Sequence, residues 1–189
     1  GGVWMGTNSY LVNSVVYGNT GYGIYRRSEY YTEGVGGVFK APGANVYVDN
    51  CLIWNNTGGD LRGLPGGLMY VRNSTYQSAD NAVSPNVYCM RGDPGFVDAA
   101  AGNFRLQPGS LAINSGLDGY NTLTNDILMK PRKVFGIDRG AYEYTGVLYR
   151  VSGRVTNEYY PALGLENALL TCSGGVTATT EPNGYYVAL

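Results

Sequence analysis

Residues 13–20 read NSVVYGNT and residues 50–57 read NCLIWNNT, so one pattern of apolar residues and asparagines recurs 37 residues later. A third copy begins at residue 73 as NSTY. Each copy follows a strand-like segment: YLV at 10–12, VYVD at 46–49 and LMYVR at 68–72. Asparagine tolerates the left-handed backbone of a sharp bend. Each repeat therefore predicts a strand, a bend at asparagine and a second short strand.

The spacing of these repeats is typical of a solenoid, whose repeats run to about 20–50 residues. One coil of a solenoid cannot bury its own apolar side, whereas stacked coils can. We therefore expect Asn13, Asn50 and Asn73 to lie in one file, with side chains that bond along the stack. Tyr17 and Trp54 are equivalent in the repeat and are predicted to stack on each other. The long first spacing predicts a loop over residues 26–43.

The composition is that of a turn-rich β protein with few charges. Of 189 residues, 44% are hydrophobic and 14% charged, 29 are glycine and 18 tyrosine, and the net charge is −1. This balance gives no basic footprint for nucleic acid, and no apolar run approaches the ~18–20 residues of a membrane-inserted helix. Histidine is absent, which excludes Ser-His and Cys-His nucleophilic machinery within this chain.

The three cysteines are Cys51, Cys89 and Cys172, and they form no CxxC pair that would indicate a zinc site. Their odd number argues against a disulfide framework. We expect three small buried side chains, with Cys51–Cys89 as the favoured pair if one bridge forms.

The most specific resemblance begins at residue 92. GDPGFVD at 92–98 is followed by GNFRLQPGSLAINSG at 102–116, DI at 126–127, KPR at 130–132 and GIDRGAYEY at 136–144. This series resembles the closing region of choice-of-anchor Q domain proteins, which are bacterial surface proteins, and the repeats resemble pectin-lyase-like parallel β-helices. Leu111, Met129 and Arg139 replace the usual Pro, Gly and Ile of that pattern. The resemblance implies an all-β fold in which residues 1–145 are the C-terminal coils and closing region of a right-handed parallel β-helix (a β-solenoid).

Residues 146–189 are similar to a different module. YRVSGRVT at 149–156, ALLTCSGG at 168–175 and TTEPNGYY at 179–186 resemble the start of a carboxypeptidase-regulatory-like or Cna-B-like domain. That resemblance implies a partial Ig-like or prealbumin-like β-sandwich. Asn183-Gly184 independently predicts a hairpin turn. An incomplete sandwich has an open sheet edge, which favours strand donation by a neighbour.

The candidate carbohydrate contacts lie in a tyrosine-rich segment, because loops carry binding residues more often than scaffolds do. These candidates are Tyr22, Tyr25, Arg26, Arg27, Tyr30 and Tyr31. Their rings suit either sugar stacking or strand packing, and the sequence leaves both open. β-Helix lyases, as the resemblance implies, use an Arg or Lys base beside acidic residues that hold calcium. No acidic cluster accompanies Arg26 or Arg27, so we assign no catalytic residue.

Two groups of charged residues remain. Asp93 and Asp98 flank a turn at Pro94; they are weak calcium candidates, and turn formation is the favoured interpretation. The second group belongs to the closing motif. It predicts either a structural ion-pair network that caps the end of the β-helix or a site for a polyanionic sugar, and the ion-pair network is favoured. Its members are Asp126, Arg132, Asp138, Arg139 and Glu143.

The sequence as a whole predicts a secreted or bacterial cell-surface β-helix module that is non-catalytic and acts in scaffolding or adhesion, with a polysaccharide or surface glycan as partner. No nucleic acid, membrane insertion or cofactor is expected, apart from the weak calcium candidates. One alternative is a fragment of a polysaccharide lyase or glycoside hydrolase with catalytic coils upstream. Another is a filament subunit that associates head to tail.

Overall fold

The computed structural model describes residues 2–21, 24–26, 29–31, 36–80, 83–85, 88–146, 151–161, 163–171 and 177–188. The chain divides into two compact units, Gly1–Thr145 and Gly146–Leu189. Throughout these described ranges the regular structure is strand, apart from a short 3-10 turn at Asp118–Tyr120. No helix within them has the length and apolar character needed to cross a membrane. The prediction of an all-β chain is confirmed.

The strands of the first unit are short, with two to four residues each. They are β1 (Val3–Met5), β2 (Ser9–Val12), β3 (Val15–Tyr17), β4 (Ile24–Arg26), β5 (Glu29–Tyr31), β6 (Val38–Lys40), β7 (Val46–Asp49), β8 (Leu52–Trp54), β9 (Leu61–Gly63), β10 (Met69–Arg72), β11 (Thr75–Tyr76), β12 (Val83–Pro85), β13 (Phe96–Asp98) and β14 (Asn103–Leu106).

The chain visits three parallel sheets in the same order on each passage. The sheets have strand orders β1-β6-β9, β2-β7-β10-β12 and β3-β8-β11. We call the passages coil 1 (residues 3–17), coil 2 (38–54) and coil 3 (61–76). A shorter coil 4 (79–90) adds β12 and the single bridges of Ala79 to Leu61 and of Met90 to Thr75. Every pairing between coils is parallel, so equivalent residues stack directly on one another.

The three repeated asparagines form one file, as predicted. Val12, Asp49 and Arg72 are register partners at the ends of β2, β7 and β10. The next residue in each coil is therefore Asn13, Asn50 or Asn73, and their φ angles are 47°, 52° and 47°. This left-handed geometry is costly for most side chains and tolerable for asparagine. The repeated asparagine therefore sets the bend between the second and third sheets.

Residues of all three sheets contribute to one apolar core. Its most buried members are 0–1% exposed: Val38, Val46, Val48, Cys51, Ile53, Leu61, Met69, Val71 and Tyr76. Each large apolar side chain in such a core contributes about 1.5–3 kcal/mol through removal of its surface from water. Strand alternation turns Tyr47, which lies between Val46 and Val48, to the outer face.

Several sequence expectations are corrected at this level. The predicted loop over 26–43 contains β6 and the end of an antiparallel hairpin in which β4 pairs with β5. Tyr17 and Trp54 are register partners, but the ring of Tyr17 packs against Phe96 and Phe104. Cys51 and Cys89 are both free thiols, in agreement with the favoured expectation; Cys51 is fully buried, whereas Cys89 is only partly buried. Cys172 lies outside the described residues.

The second unit consists of two antiparallel strand pairs. β15 (Val151–Arg154) pairs with β18 (Tyr185–Ala188), and β16 (Leu169–Thr171) pairs with β17 (Thr177–Thr179). A turn precedes β18, with Gly184 at φ 81° and the amide of Glu181 donating to the carbonyl of Tyr185. A turn is therefore present at Asn183-Gly184, but the strands that flank it, β17 and β18, pair with β16 and β15 and not with each other, so the predicted hairpin is corrected to a turn.

Candidate functional site

The closing segment, residues 93–145, crosses the asparagine file from outside. The side chain of Asn50 accepts from the amide of Leu117 at 2.9 Å and donates to its carbonyl at 3.0 Å. The side chain of Asn13 donates to Oδ1 of Asn121 at 2.7 Å. These bonds run to the closing segment, whereas an asparagine bond along the stack occurs one bend later, from Nδ2 of Asn19 to Oδ1 of Asn56 at 3.1 Å.

Apolar packing holds the same segment against the third sheet. The hairpin of β13 and β14 supplies Phe96 and Leu106, which cluster with Leu52 of β8 and with Ala112. The closing segment thus lies along the side of the coils, where it contacts coils 1 and 2. The expectation that it caps the end of the stack is corrected accordingly.

Arg139 extends these contacts to coils 3 and 4. The side chain is buried, with the residue 3% exposed. Its guanidinium donates to the carbonyls of Ser115 at 3.1 Å, Ser74 at 3.2 Å and Tyr88 at 2.7 Å. Burial lowers the pKa of Arg139 to about 10. Arg139 therefore binds backbone carbonyls of two coils, so it acts as a structural cross-link.

The remaining charged residues of the closing motif form a buried box around Arg132, which is 1% exposed. Nη2 of Arg132 donates to the carbonyls of Asp138 at 2.9 Å and Gly140 at 2.6 Å. Nη1 lies 3.4 Å from Oε1 of Glu143. The predicted ion pairing is present, and the carboxylates also bind backbone amides.

Those amide bonds fix the path of the closing motif. Asp138 accepts from the amides of Asn114 at 2.7 Å and Tyr144 at 2.5 Å. Asp126 accepts from the amides of Leu128 and Lys130, both at 2.8 Å, and from that of Glu143 at 3.1 Å. Because each acid is bonded within the motif, the box serves local structure.

Burial dominates the proton affinities inside the box. It is the main reason that the pKa of Glu143 is raised to about 8; the nearby Asp138 carboxylate contributes to the rise, and Arg132 opposes it. Burial also raises the pKa of Asp138 and lowers that of Arg132. One cation thus faces three carboxyl groups, and we infer that Glu143 holds a proton near neutral pH.

The protonation of Glu143 can be tested through the pH dependence of the free energy of unfolding. Because folding raises the pKa of Glu143, the folded state binds the proton more tightly, and stability falls as pH rises from about 4.5 to about 8. The loss amounts to a few kcal/mol, at about 1.4 kcal/mol per pKa unit. Glu143→Gln is expected to flatten this slope in urea titrations at successive pH values. The exposed Glu181→Gln is the control and should keep the native slope; equal slopes in all three proteins would contradict the assignment.

Asp93 and Asp98 both serve turns. Oδ1 of Asp93 accepts from the amide of Gly95 at 2.8 Å, and Oδ1 of Asp98 accepts from that of Ala101 at 3.0 Å. This is the turn chemistry favoured by the sequence. Across the described part of the chain no group of three or more Cys, Asp or Glu side chains is arranged to hold a metal ion.

The predicted carbohydrate candidates fall on the hairpin between coils 1 and 2. Tyr25 and Arg26 belong to β4, Tyr30 and Tyr31 belong to β5, and Tyr25 is the register partner of Tyr30. Tyr22 and Arg27 lie outside the described residues. The hairpin register places Tyr25 and Tyr30 at the same level of the ribbon.

A stack of tyrosine rings on the outer face of the second sheet was not predicted from the sequence. Tyr10, Tyr47 and Tyr70 are register partners, and their ring centroids lie 4.6 and 5.3 Å apart with nearly parallel planes. Beside them, Arg72 binds the buried Asp49 through two bonds of 2.6 Å and covers the ring of Tyr47. Each tyrosine stands three residues before a repeated asparagine, and that spacing was the available signal.

Two buried polar side chains at opposite ends of the first sheet were also not predicted: Lys40 is the last residue of β6, and Asp60 directly precedes β9. Nζ of Lys40 donates to the carbonyls of Leu64 and Gly66, both at 2.7 Å. Asp60 accepts from the amides of Asn56 at 3.2 Å and Gln77 at 2.6 Å. Both side chains satisfy backbone groups where the chain turns, as buried polar groups must.

No family model, curated protein or solved structure matches this chain. The resemblance to choice-of-anchor Q and pectin-lyase-like proteins therefore stays a prediction based on the motifs.

Proposed function

We propose that the first unit is the end of a right-handed parallel β-helix that acts as a non-catalytic scaffold or adhesion module at a bacterial cell surface. One observation carries the proposal: coils 1 to 3 pair in register in three parallel sheets, and one closing segment bonds to successive coils. A stack that is paired within and cross-linked along its side resists bending. Stiffness of this kind suits a module that holds a binding element away from a surface.

The buried charges support the scaffold role. Lys40, Arg132 and Arg139 bind backbone carbonyls, and Asp138 binds backbone amides. These buried groups hold the fold together. A catalytic group, in contrast, must be able to reach its substrate. The second unit, in this proposal, is the beginning of a carboxypeptidase-regulatory-like sandwich.

The surface role is tested on intact cells that produce the protein. Trypsin is applied to whole cells, and the released peptides are identified by mass spectrometry. Peptides of this chain should appear together with known surface proteins and before cytoplasmic markers. Recovery only after lysis would overturn the proposal. An assay on polyuronates that showed turnover by the purified protein would overturn its non-catalytic part.

Glycan contact is assigned to the hairpin of β4 and β5, because it interrupts the coils and carries Tyr25, Arg26, Tyr30 and Tyr31. On a glycan array, alanine substitution of these four residues should abolish the binding of the native protein. Alanine substitution of Tyr159 and Tyr160, which are 83% and 65% exposed in the second unit, is the matched control and should retain it. No binding by the native protein, or equal loss in both variants, would contradict the assignment.

A further inference from the structure

The closing segment contains a hairpin with an apolar, exposed tip. This closing hairpin spans residues 124–132, and its arms are joined by two amide-to-carbonyl bonds of 2.8 Å, one at its base and one directly below its tip. The tip consists of Ile127, Leu128 and Met129, which are 62%, 41% and 76% exposed. Three consecutive large apolar side chains are therefore presented to solvent at one turn.

Hydrogen bonds fix the backbone of this tip. Oδ1 of the buried Asp126 accepts from the amides of Leu128 and Lys130, both at 2.8 Å. The amide of Ile127 donates to the carbonyl of Ala141 at 3.0 Å, which ties the tip to the closing motif. The backbone thus sets the direction of the three apolar side chains, and their exposure is a built feature of the hairpin.

The backbone conformation of Met129 makes this exposure more costly. Its φ is 62°, in the left-handed region that most side chains avoid. The choice-of-anchor Q pattern that the sequence resembles has glycine at this position, and glycine adopts the conformation without strain. Because Met129 is 76% exposed, little packing within the chain offsets its strain. Strained backbone is common at binding sites, and we expect this side chain to make its contacts outside the chain.

The exposed charges beside the tip are positive. Among the charged residues of the hairpin and the residue after it, Asp126 and Arg132 are buried, whereas Lys130 and Lys133 are exposed. Lys133 pairs with the exposed Asp118, and an exposed pair of this kind contributes little. The charge favours an anionic partner. Two copies that met tip to tip would instead bring like charges together, which is unfavourable.

The order of these features from the tip inward indicates the kind of partner. The apolar residues lie at the turn, and Lys130 follows them directly on the returning arm. An anionic lipid surface has the matching order, because acyl chains lie deepest and charged headgroups lie above them. Three apolar residues can enter that boundary, although they are far fewer than the ~18–20 needed to span a bilayer.

We propose that the closing hairpin is a peripheral binding site for an anionic lipid surface. Ile127, Leu128 and Met129 enter the boundary between headgroups and acyl chains, and Lys130 and Lys133 contact lipid phosphates. The contact is reversible, because the apolar tip is small and each lysine contributes only about a fivefold gain in affinity. The inference rests on the hairpin alone, so it is tested separately from the scaffold role and from glycan contact.

Co-sedimentation with lipid vesicles tests the proposal. The native protein should bind vesicles of equal parts phosphatidylcholine and phosphatidylglycerol several-fold more tightly than vesicles of phosphatidylcholine alone. Met129→Gly should weaken this binding at least about threefold, because it removes an apolar side chain from the contact. Its Tm should stay the same or rise, because glycine relieves the left-handed strain. Lys130→Gln should weaken binding to the mixed vesicles about fivefold and leave binding to phosphatidylcholine unchanged.

Leu169→Ser is the matched control, since it removes a side chain of the second unit that is 71% exposed, and it should bind the mixed vesicles as the native protein does. No binding by the native protein, or equal binding by the native protein and Met129→Gly, would overturn the proposal. An equal loss in Leu169→Ser would also overturn it, because binding would then follow from exposed apolar surface in general. A native chain that dimerises in light scattering and becomes monomeric with Met129→Gly would assign the tip to a second copy instead.

Discussion

Gly37→Ala is expected to destabilise the first unit by about 4 kcal/mol or more, the range reserved for severe core defects. A Cβ at this position would lie 2.0 Å from the carbonyl oxygen of Asp60 in the next coil. The coils cannot separate to make room, because the amides of Gly37 and Val38 donate to the carbonyls of Gly59 and Asp60 at 3.1 and 2.6 Å. The substitution must therefore break the first sheet where β6 meets β9.

Gly6→Ala provides the matched control, since nothing lies within 4 Å of a Cβ there and its φ is outside the left-handed region. Urea unfolding followed by circular dichroism should show a loss of at most about 0.5 kcal/mol for this variant, as for ordinary surface substitutions. If Gly37→Ala unfolds at the same urea concentration as Gly6→Ala, the coils are not as closely spaced as described.

The asparagine repeat allowed the strand, bend and second strand to be predicted because it marks a backbone requirement. Asn13, Asn50 and Asn73 recur where φ is positive, and few residue types tolerate that conformation. The strands before and after each asparagine followed from this bend. The bonds of the closing motif, such as that of Arg132 to Glu143, were foreseen because opposite charges recur within a short segment.

The first sheet was not predicted, because its strands read VWM, VFK and LRG and share only an apolar first residue. The strands that were predicted flank the repeated asparagine, and no such marker accompanies the first sheet. The position of the closing segment was missed for a different reason. The bonds of Asn50 to Leu117 span 67 residues, and no local pattern encodes contacts at that separation. Met129 occupies a left-handed position, with φ 62°, at which the choice-of-anchor Q pattern that the sequence resembles has glycine. Methionine gave no local sign of that backbone conformation.

Arg132→Met is expected to destabilise the first unit by about 3–5 kcal/mol, the usual loss when one partner of a buried ion pair is removed. Methionine keeps much of the apolar volume but cannot donate to the carbonyls of Asp138 and Gly140. It also leaves the buried acids without their cation. Chemical denaturation at pH 6 and pH 9 measures the loss, and stability equal to that of the native protein at both pH values would contradict the assignment.

The dependence of this loss on pH separates charge from packing. At pH 6 Glu143 is mostly protonated, since its pKa is about 8, so the loss at that pH comes chiefly from the two carbonyls and from Asp138. At pH 9 the native protein holds an ionised Glu143 beside Arg132, and the variant must either bury that charge alone or keep its proton. The loss caused by Arg132→Met should therefore be larger at pH 9, and it should become independent of pH when Glu143→Gln is present in both proteins. If the loss still differed between pH 6 and pH 9 in the glutamine background, the pH dependence would belong to Asp138. The protonation assigned to Glu143 would then be contradicted.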